Sequence, residues 1–166
     1  MPRDEDLRFF VDETTLGVGR ALAMVRGDVV HPGHRRLPGV PAGALDTEWM
    51  PIVADLGLVV ISRDRHIKSK AAELAAFHAA GLRAFWIAGD KDLGNWENLT
   101  RLVRWFERIE RIIAAKGPGP WMYALNLTSV TELFVPSPRP PRPRSNLSAQ
   151  PRSAAKPRQL NLDLGF

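Results

Sequence analysis

Cysteine is absent from the 166 residues, which excludes disulfide scaffolds, cysteine-zinc sites and thiol catalysis and makes an intracellular, cytoplasmic protein the plain expectation. No apolar run approaches the length needed to span a bilayer, so no membrane association is expected. The first residues, Met1 to Leu7, carry Arg3, Asp4, Glu5 and Asp6 in place of an apolar core, so they do not read as a secretory signal. Internal repeats are lacking as well.

Acid is scarce at one end of the chain only. Residues 136–166 hold six basic side chains, Arg139, Arg142, Arg144, Arg152, Lys156 and Arg158, against the single acid Asp163, which accounts for the whole formal charge of +5. Residues 1–135 hold 17 basic and 17 acidic residues. The high isoelectric point is therefore a property of the tail and says little about the folded part.

What is present before the tail is an alternation of strands and helices. Leu7 to Val11 is a short apolar run that ends at Asp12-Glu13. Leu16, Val18, Leu22, Met24 and Val25 then follow at helical spacing, with Thr14 or Thr15 as the expected cap. Asp28 to His31 predicts a second short strand, and the Pro-, Gly- and Arg-rich stretch from His31 to Gly43 a loop. Asp46 opens a predicted helix to Leu56, stopped by Gly57, and Leu58 to Ile61 has the unbroken apolar character of a strand buried on both faces. Ser69 to Ala80 reads as a helix closed by Gly81, and Leu82 to Ala88 as another central strand. Asn95 to Ala115 is a long amphipathic helix, and Trp121 to Leu127 a last strand.

The pattern predicts an α/β fold, a three-layer α/β/α sandwich with a mainly parallel central sheet over residues 7–126 and a disordered C-terminal tail. Within the tail, residues 136–158 are a Pro- and Arg-rich basic linker expected to be disordered or polyproline-like. Residues 159–166 turn apolar again and have the look of a short docking peptide.

Open parallel sheets bind ligands beyond the carboxyl ends of their strands. Three acids fall there: Asp12 after the first strand, Asp46 at the start of a helix and Asp64 just past the third strand, with Glu13 and Glu48 near them in sequence. Crowded carboxylates repel one another, and a hard cation, Mg²⁺ or Mn²⁺, relieves that repulsion. Such a cation could polarise a phosphate oxygen and lower the pKa of a water for in-line attack, so that a phosphodiester is hydrolysed without a covalent enzyme intermediate.

Each acid also has a structural reading. Asp12 and Asp64 suit caps of the following helices, and Asp46 suits an N-cap. Arg63, Arg65, Lys68 and Lys70 surround Asp64 with positive charge, as a solvated loop or as contacts to a polyanionic backbone. His31, His34, His66 and His78 show no zinc-ligand spacing, and His78 is expected on a helix surface. The five tryptophans read as core more readily than as nucleobase platforms, Trp86 above all.

The segments FFVDETTLGVG (9–19), LDTEWMPIVADLGLVVISRDRHI (45–67) and GLRAFWIA (81–88) resemble the PIN-domain superfamily, in its compact PIN-like branch that includes VapC-type toxins. The resemblance implies a metal-dependent endoribonuclease, with Asp12, Asp46 and Asp64 as catalytic acids and metal ligands. Glu13 would add to the metal ligands, and Ser62, Arg63, Arg65 and Lys68 would bind substrate. It further implies RNA as partner, a cognate antitoxin and a homodimer. Many members carry another acid on a helix between the first strand and the mid-chain Asp. Here that interval holds only Asp28, so either Glu13 or Glu48 stands in or the site holds one metal loosely.

A different class of function is a catalytically silent binding module. Its terminal QLNLDL, Gln159 to Leu164, resembles the short peptides by which bacterial proteins dock on the replication sliding clamp. A phosphoacceptor domain is a third reading, weakened because the Thr and Lys that such domains need are not evident.

Overall fold

The computed structural model describes residues 7–64, 69–89 and 93–140. Arg65, Lys68, His66 and the terminal peptide from Gln159 to Leu164 lie outside the described residues, as does most of the basic linker.

Six strands form one sheet in the order β2-β1-β3-β4-β5-β6. They are β1 (Phe9–Val11), β2 (Val29–Val30), β3 (Val59–Ser62), β4 (Arg83–Ile87), β5 (Trp121–Leu125) and β6 (Val130–Leu133). The first five run parallel, and β6 pairs antiparallel with β5, Leu125 opposite Val130. The helices are α1 (Leu16–Val25), α2 (Asp46–Asp55), α3 (Ala71–Ala80) and α4 (Asn95–Lys116). The mainly parallel α/β architecture expected from the alternation is therefore present.

Alternate residues of the central strands point to opposite faces, and each face buries its own core. Phe10, Val30, Val60, Ala84 and Met122 pack under α2 and α3 with Trp49, Met50, Val53 and Phe77. Phe9, Val11, Ile61, Phe85, Ile87 and Leu125 pack under α1 and α4 with Val18, Leu22, Leu102 and Ile109. Three of the four crossovers share one hand, and β4-α4-β5 has the opposite one. Both β3 to β4 and β4 to β5 step the same way across the sheet, yet α3 and α4 lie on different faces. Packing accounts for this: α2 and α3 already cover one face, while α1, only 10 residues long, leaves Phe85, Tyr123 and Leu125 on the other for the 22-residue α4.

Several expectations need correction. The folded unit runs past residue 126, because β6 completes the sheet and Val135 packs against the α2/α3 core. Its sequence, VTEL, alternates too weakly to announce a strand: Thr131 and Glu132 are exposed on an edge, held by Lys116 Nζ to Glu132 at 2.7 Å. Thr15 occupies the N-cap position of α1 as expected, but its side chain makes no capping hydrogen bond. Asp12 instead accepts from the Thr14 N–H at 3.1 Å and caps a 3-10 turn, Glu13–Thr15. Met24 and Val25, which follow at helical spacing, are 87% and 80% exposed in the last turn of α1. Trp86 is half-buried: its ring lies against the α2/α3 core and its indole N–H donates to the Arg63 carbonyl at 3.0 Å. His78 is likewise half-buried, its Nε2 donating to the Pro136 carbonyl at 2.8 Å. Among the described residues, no helix is long and apolar enough to cross a membrane.

Candidate metal centre

The chain leaves β1 toward β2 on one side and returns through α2 to β3 on the other. Loops that depart in opposite directions open a crevice at the carboxyl ends of β1 and β3. Asp12 follows β1 directly, Ser62 ends β3 and Asp64 stands two residues on, while the N-termini of α2 and α3 bring Asp46 and Glu73 to the same edge.

Asp12 is the buried floor of the site, only 3% exposed. Its Oδ1 accepts from the Thr14 N–H and hydroxyl, and its Oδ2 accepts from the Ser62 hydroxyl at 2.5 Å. The two hydroxyls are in turn tied to the end of β3, since Thr14 Oγ1 accepts from the Arg63 N–H at 3.0 Å and Ser62 Oγ from the Asp64 N–H at 2.9 Å. One carboxylate thus fixes the backbone that carries Asp64. A carboxylate has about four acceptor positions, so the three donors leave at most one for a cation. Burial disfavours the charge and pushes the Asp12 pKa up to about 7, the hydrogen bonds from Ser62 and Thr14 working against this and the nearby Asp46 adding to it.

Asp46 is the first residue of α2, and Leu45 occupies the cap position, so the N-cap reading of Asp46 does not hold. Its carboxylate accepts from the Trp49 indole at 2.9 Å, one helical turn on. Asp12, Glu13 and Asp46 line one cleft of about 300 Å³ with Thr14, Pro32, Ala44 and Trp49. On its other side Asp46 joins Asp64 and Glu73, whose ligand oxygens all lie within 4.8 Å of one another.

Glu73 is the acid that sequence reasoning passed over. It lies in the first turn of α3, nine positions after Asp64, and a first-turn acid on a helix that follows a parallel strand faces the carboxyl edge of the sheet, the same logic that singled out Asp46. Its Oε1 accepts from Lys70 Nζ at 2.8 Å, and its Oε2 is buried with no hydrogen-bond partner among the described residues. An orphaned buried carboxylate oxygen is costly. A hard divalent cation, which takes oxygen ligands, would satisfy it and would offset the repulsion among the three acids. The donor set therefore fits such an ion. Glu73 also holds the pKa of Lys70 above its usual value, with Asp64 and Asp46 adding to the effect.

The acids expected to substitute for a missing helix carboxylate are engaged elsewhere. Glu13 accepts from the Gly43 N–H at 3.1 Å, anchoring the 31–43 loop, and Glu48 accepts from the Leu45 N–H at 3.0 Å, closing the first turn of α2. Asp28 lies at the opposite edge of the sheet, paired with Arg26 at 2.7 Å. Arg63, expected to meet substrate, extends its guanidinium to the buried Asn98 at 2.8 Å and so links the start of α4 to the end of β3. No histidine joins the acidic group among the described residues.

No curated protein and no solved structure matches the chain. A family model described as a PIN-like domain does match, over residues 7–89. That span is half of the chain and carries Asp12, Asp46, Asp64 and Glu73, together with the strands and helices that bring them to one crevice. The chain belongs to the PIN-like domain family.

Proposed function

We propose that the protein is a metal-dependent endoribonuclease that hydrolyses phosphodiester bonds with Mg²⁺ or Mn²⁺, and that it acts as the toxin of a VapC-type toxin-antitoxin pair. The observation that carries the reading is the convergence of Asp46, Asp64 and Glu73 beside the buried Asp12 at the switch point of the sheet of a PIN-like chain. Asp46, Asp64 and Glu73 would hold the cation, and Asp12 would offer its remaining acceptor position. Bound there, the cation would supply Lewis-acid polarisation of the phosphate and a more acidic water.

The chain's own residues do the rest. Ser62 and Thr14 hold Asp12 and the start of the 63–64 segment in register, Trp49 orients Asp46, and Arg63 fixes α4 against β3. Glu13 steadies the loop that borders the cleft. Arg65 and Lys68 would steer RNA phosphates, an attraction that weakens steeply with salt. The partners proposed with this reading are RNA, a cognate antitoxin and a second copy in a homodimer; the replication sliding clamp, through Gln159 to Leu164, goes with the alternative of a catalytically silent module.

The test is cleavage of a labelled mixed RNA pool by the purified chain with Mg²⁺, Mn²⁺ or EDTA, beside Asp64→Asn refolded to the same circular-dichroism spectrum. Cleavage that requires metal and is lost in the variant is the expected result. Cleavage that survives EDTA or the substitution would sink the proposal.

A further inference from the structure

Glu73 has a cation on one oxygen and, among the described residues, no hydrogen-bond partner on the other. Lys70 Nζ lies 2.8 Å from Oε1, while the buried Oε2 has no hydrogen-bond partner among the described residues. Lys70 is the residue just before α3, its side chain 59% exposed, so the ammonium can leave Glu73 without disturbing the core. The acidic site thus already has a positive charge of its own. An ammonium brings one unit of charge and three donors, and it leaves the second oxygen of Glu73 without a hydrogen-bond partner among the described residues. A divalent cation brings two charges and takes six or more oxygens.

We propose that Lys70 is an internal counter-cation of the acidic site, displaced from Glu73 by the divalent metal and then available to the phosphate of bound RNA. The inference rests on the nuclease reading and deepens it. Once the metal holds Glu73, the ammonium faces a like charge and has lost its anion. A phosphate entering beside the metal supplies a new one. Metal and RNA therefore bind with positive coupling, each relieving a charge that the other leaves exposed. Metal binding in the absence of RNA is weakened by the competitor, which keeps the free protein sparsely loaded.

The experiment is a Mn²⁺ titration of the full chain, followed by calorimetry and by the electron paramagnetic resonance of free Mn²⁺, with no cleavage measured. Lys70→Met should bind Mn²⁺ roughly tenfold more tightly, the sum of losing a competing exposed ion pair and one positive charge close to the metal. Lys70→Arg should behave as the parent, and Lys70→Gln should repeat the methionine result if either variant is suspected of misfolding. Glu73→Gln, which takes a charged ligand from the cation, should weaken binding at least roughly tenfold, and adding Lys70→Met to it should restore only the part that comes from removing a positive charge near the metal. A 2′-O-methyl phosphorothioate RNA oligonucleotide should tighten Mn²⁺ binding in the parent and do so less in Lys70→Met. Unchanged or weaker Mn²⁺ binding in Lys70→Met overturns the inference, as does a full gain in the Glu73→Gln background. If the parent binds Mn²⁺ and Lys70 is irrelevant, only this inference falls; if no form binds Mn²⁺, the metal-centre reading falls with it.

Discussion

Replacing Asp12 by asparagine in metal-free protein tests whether this buried carboxylate costs the fold stability. Its pKa is pushed from 3.8 up to about 7 by burial, about three units. At about 1.36 kcal/mol per unit, ionised Asp12 destabilises the folded state by roughly 4 kcal/mol. The sign follows from proton counting. Between about pH 4 and pH 7 the native state holds a proton that the unfolded chain has released, so stability falls as pH rises through that window and levels off above it. Asparagine cannot ionise, and the loss disappears. Its amide keeps one acceptor for Thr14 and turns its NH₂ toward Ser62 Oγ, so the change forfeits about 1 kcal/mol of hydrogen bonding. Relative to the parent, Asp12→Asn should thus be about 1 kcal/mol less stable below about pH 3.5, cross over near about pH 4.5 and be roughly 3 kcal/mol more stable near pH 8. Urea denaturation in EDTA, followed by circular dichroism at several pH values, measures the difference, in which the titrating groups not coupled to Asp12 cancel. Added Mn²⁺ at pH 8 should reverse the order, since only the parent can ionise Asp12 toward the cation. A difference that does not change with pH, or a variant that is the less stable one at pH 8 in EDTA, would refute the reasoning.

Other substitutions probe the frame around the site. A Cβ on Gly119 would stand 2.2 Å from the Gly81 carbonyl oxygen and 2.5 Å from that of Leu82, both backbone, so Gly119→Ala should cost at least about 2 kcal/mol. A thermal midpoint within a degree or two of the parent would show that the α3-β4 turn and the start of β5 can separate freely. Trp49→Phe keeps most of the packing against Phe10 at 4.8 Å between ring centres but removes the donor to Asp46. It should cost about 1 kcal/mol of stability and weaken Mn²⁺ binding roughly tenfold. Equal Mn²⁺ affinity by calorimetry would mean that Asp46 needs no support.

Most of the fold was legible because consecutive apolar residues and helical spacing are local signals. The strands FFV, VVIS and RAFWI and the helix opened by Asp46 fall where those signals put them. The antiparallel β6 was not legible, since an edge strand with exposed Thr131 and Glu132 carries little hydrophobic pattern, and it is the pairing with β5 that defines it. The exposure of Val25 was hidden for the opposite reason: its spacing from Val18 and Leu22 suits a core face, but α1 ends there.

The candidate site divides in the same way. By itself the sequence determined which acids stand at strand ends and helix starts, because the order of elements dictates that Asp12, Asp46 and Asp64 reach the carboxyl edge of a parallel sheet. Only the tertiary structure decided which of them meet. Asp46, Asp64 and Glu73 come from two helices and a loop, and their closeness depends on α2 and α3 packing side by side on one face. Glu13 meets the Gly43 amide and Ser62 closes on Asp12 because the 31–43 loop and β3 lie beside the end of β1, whereas the bonds of Glu48 to Leu45 and of Thr14 to Asp12 are local. Distances across a crevice are set by how layers pack, and no local pattern in the chain encodes them.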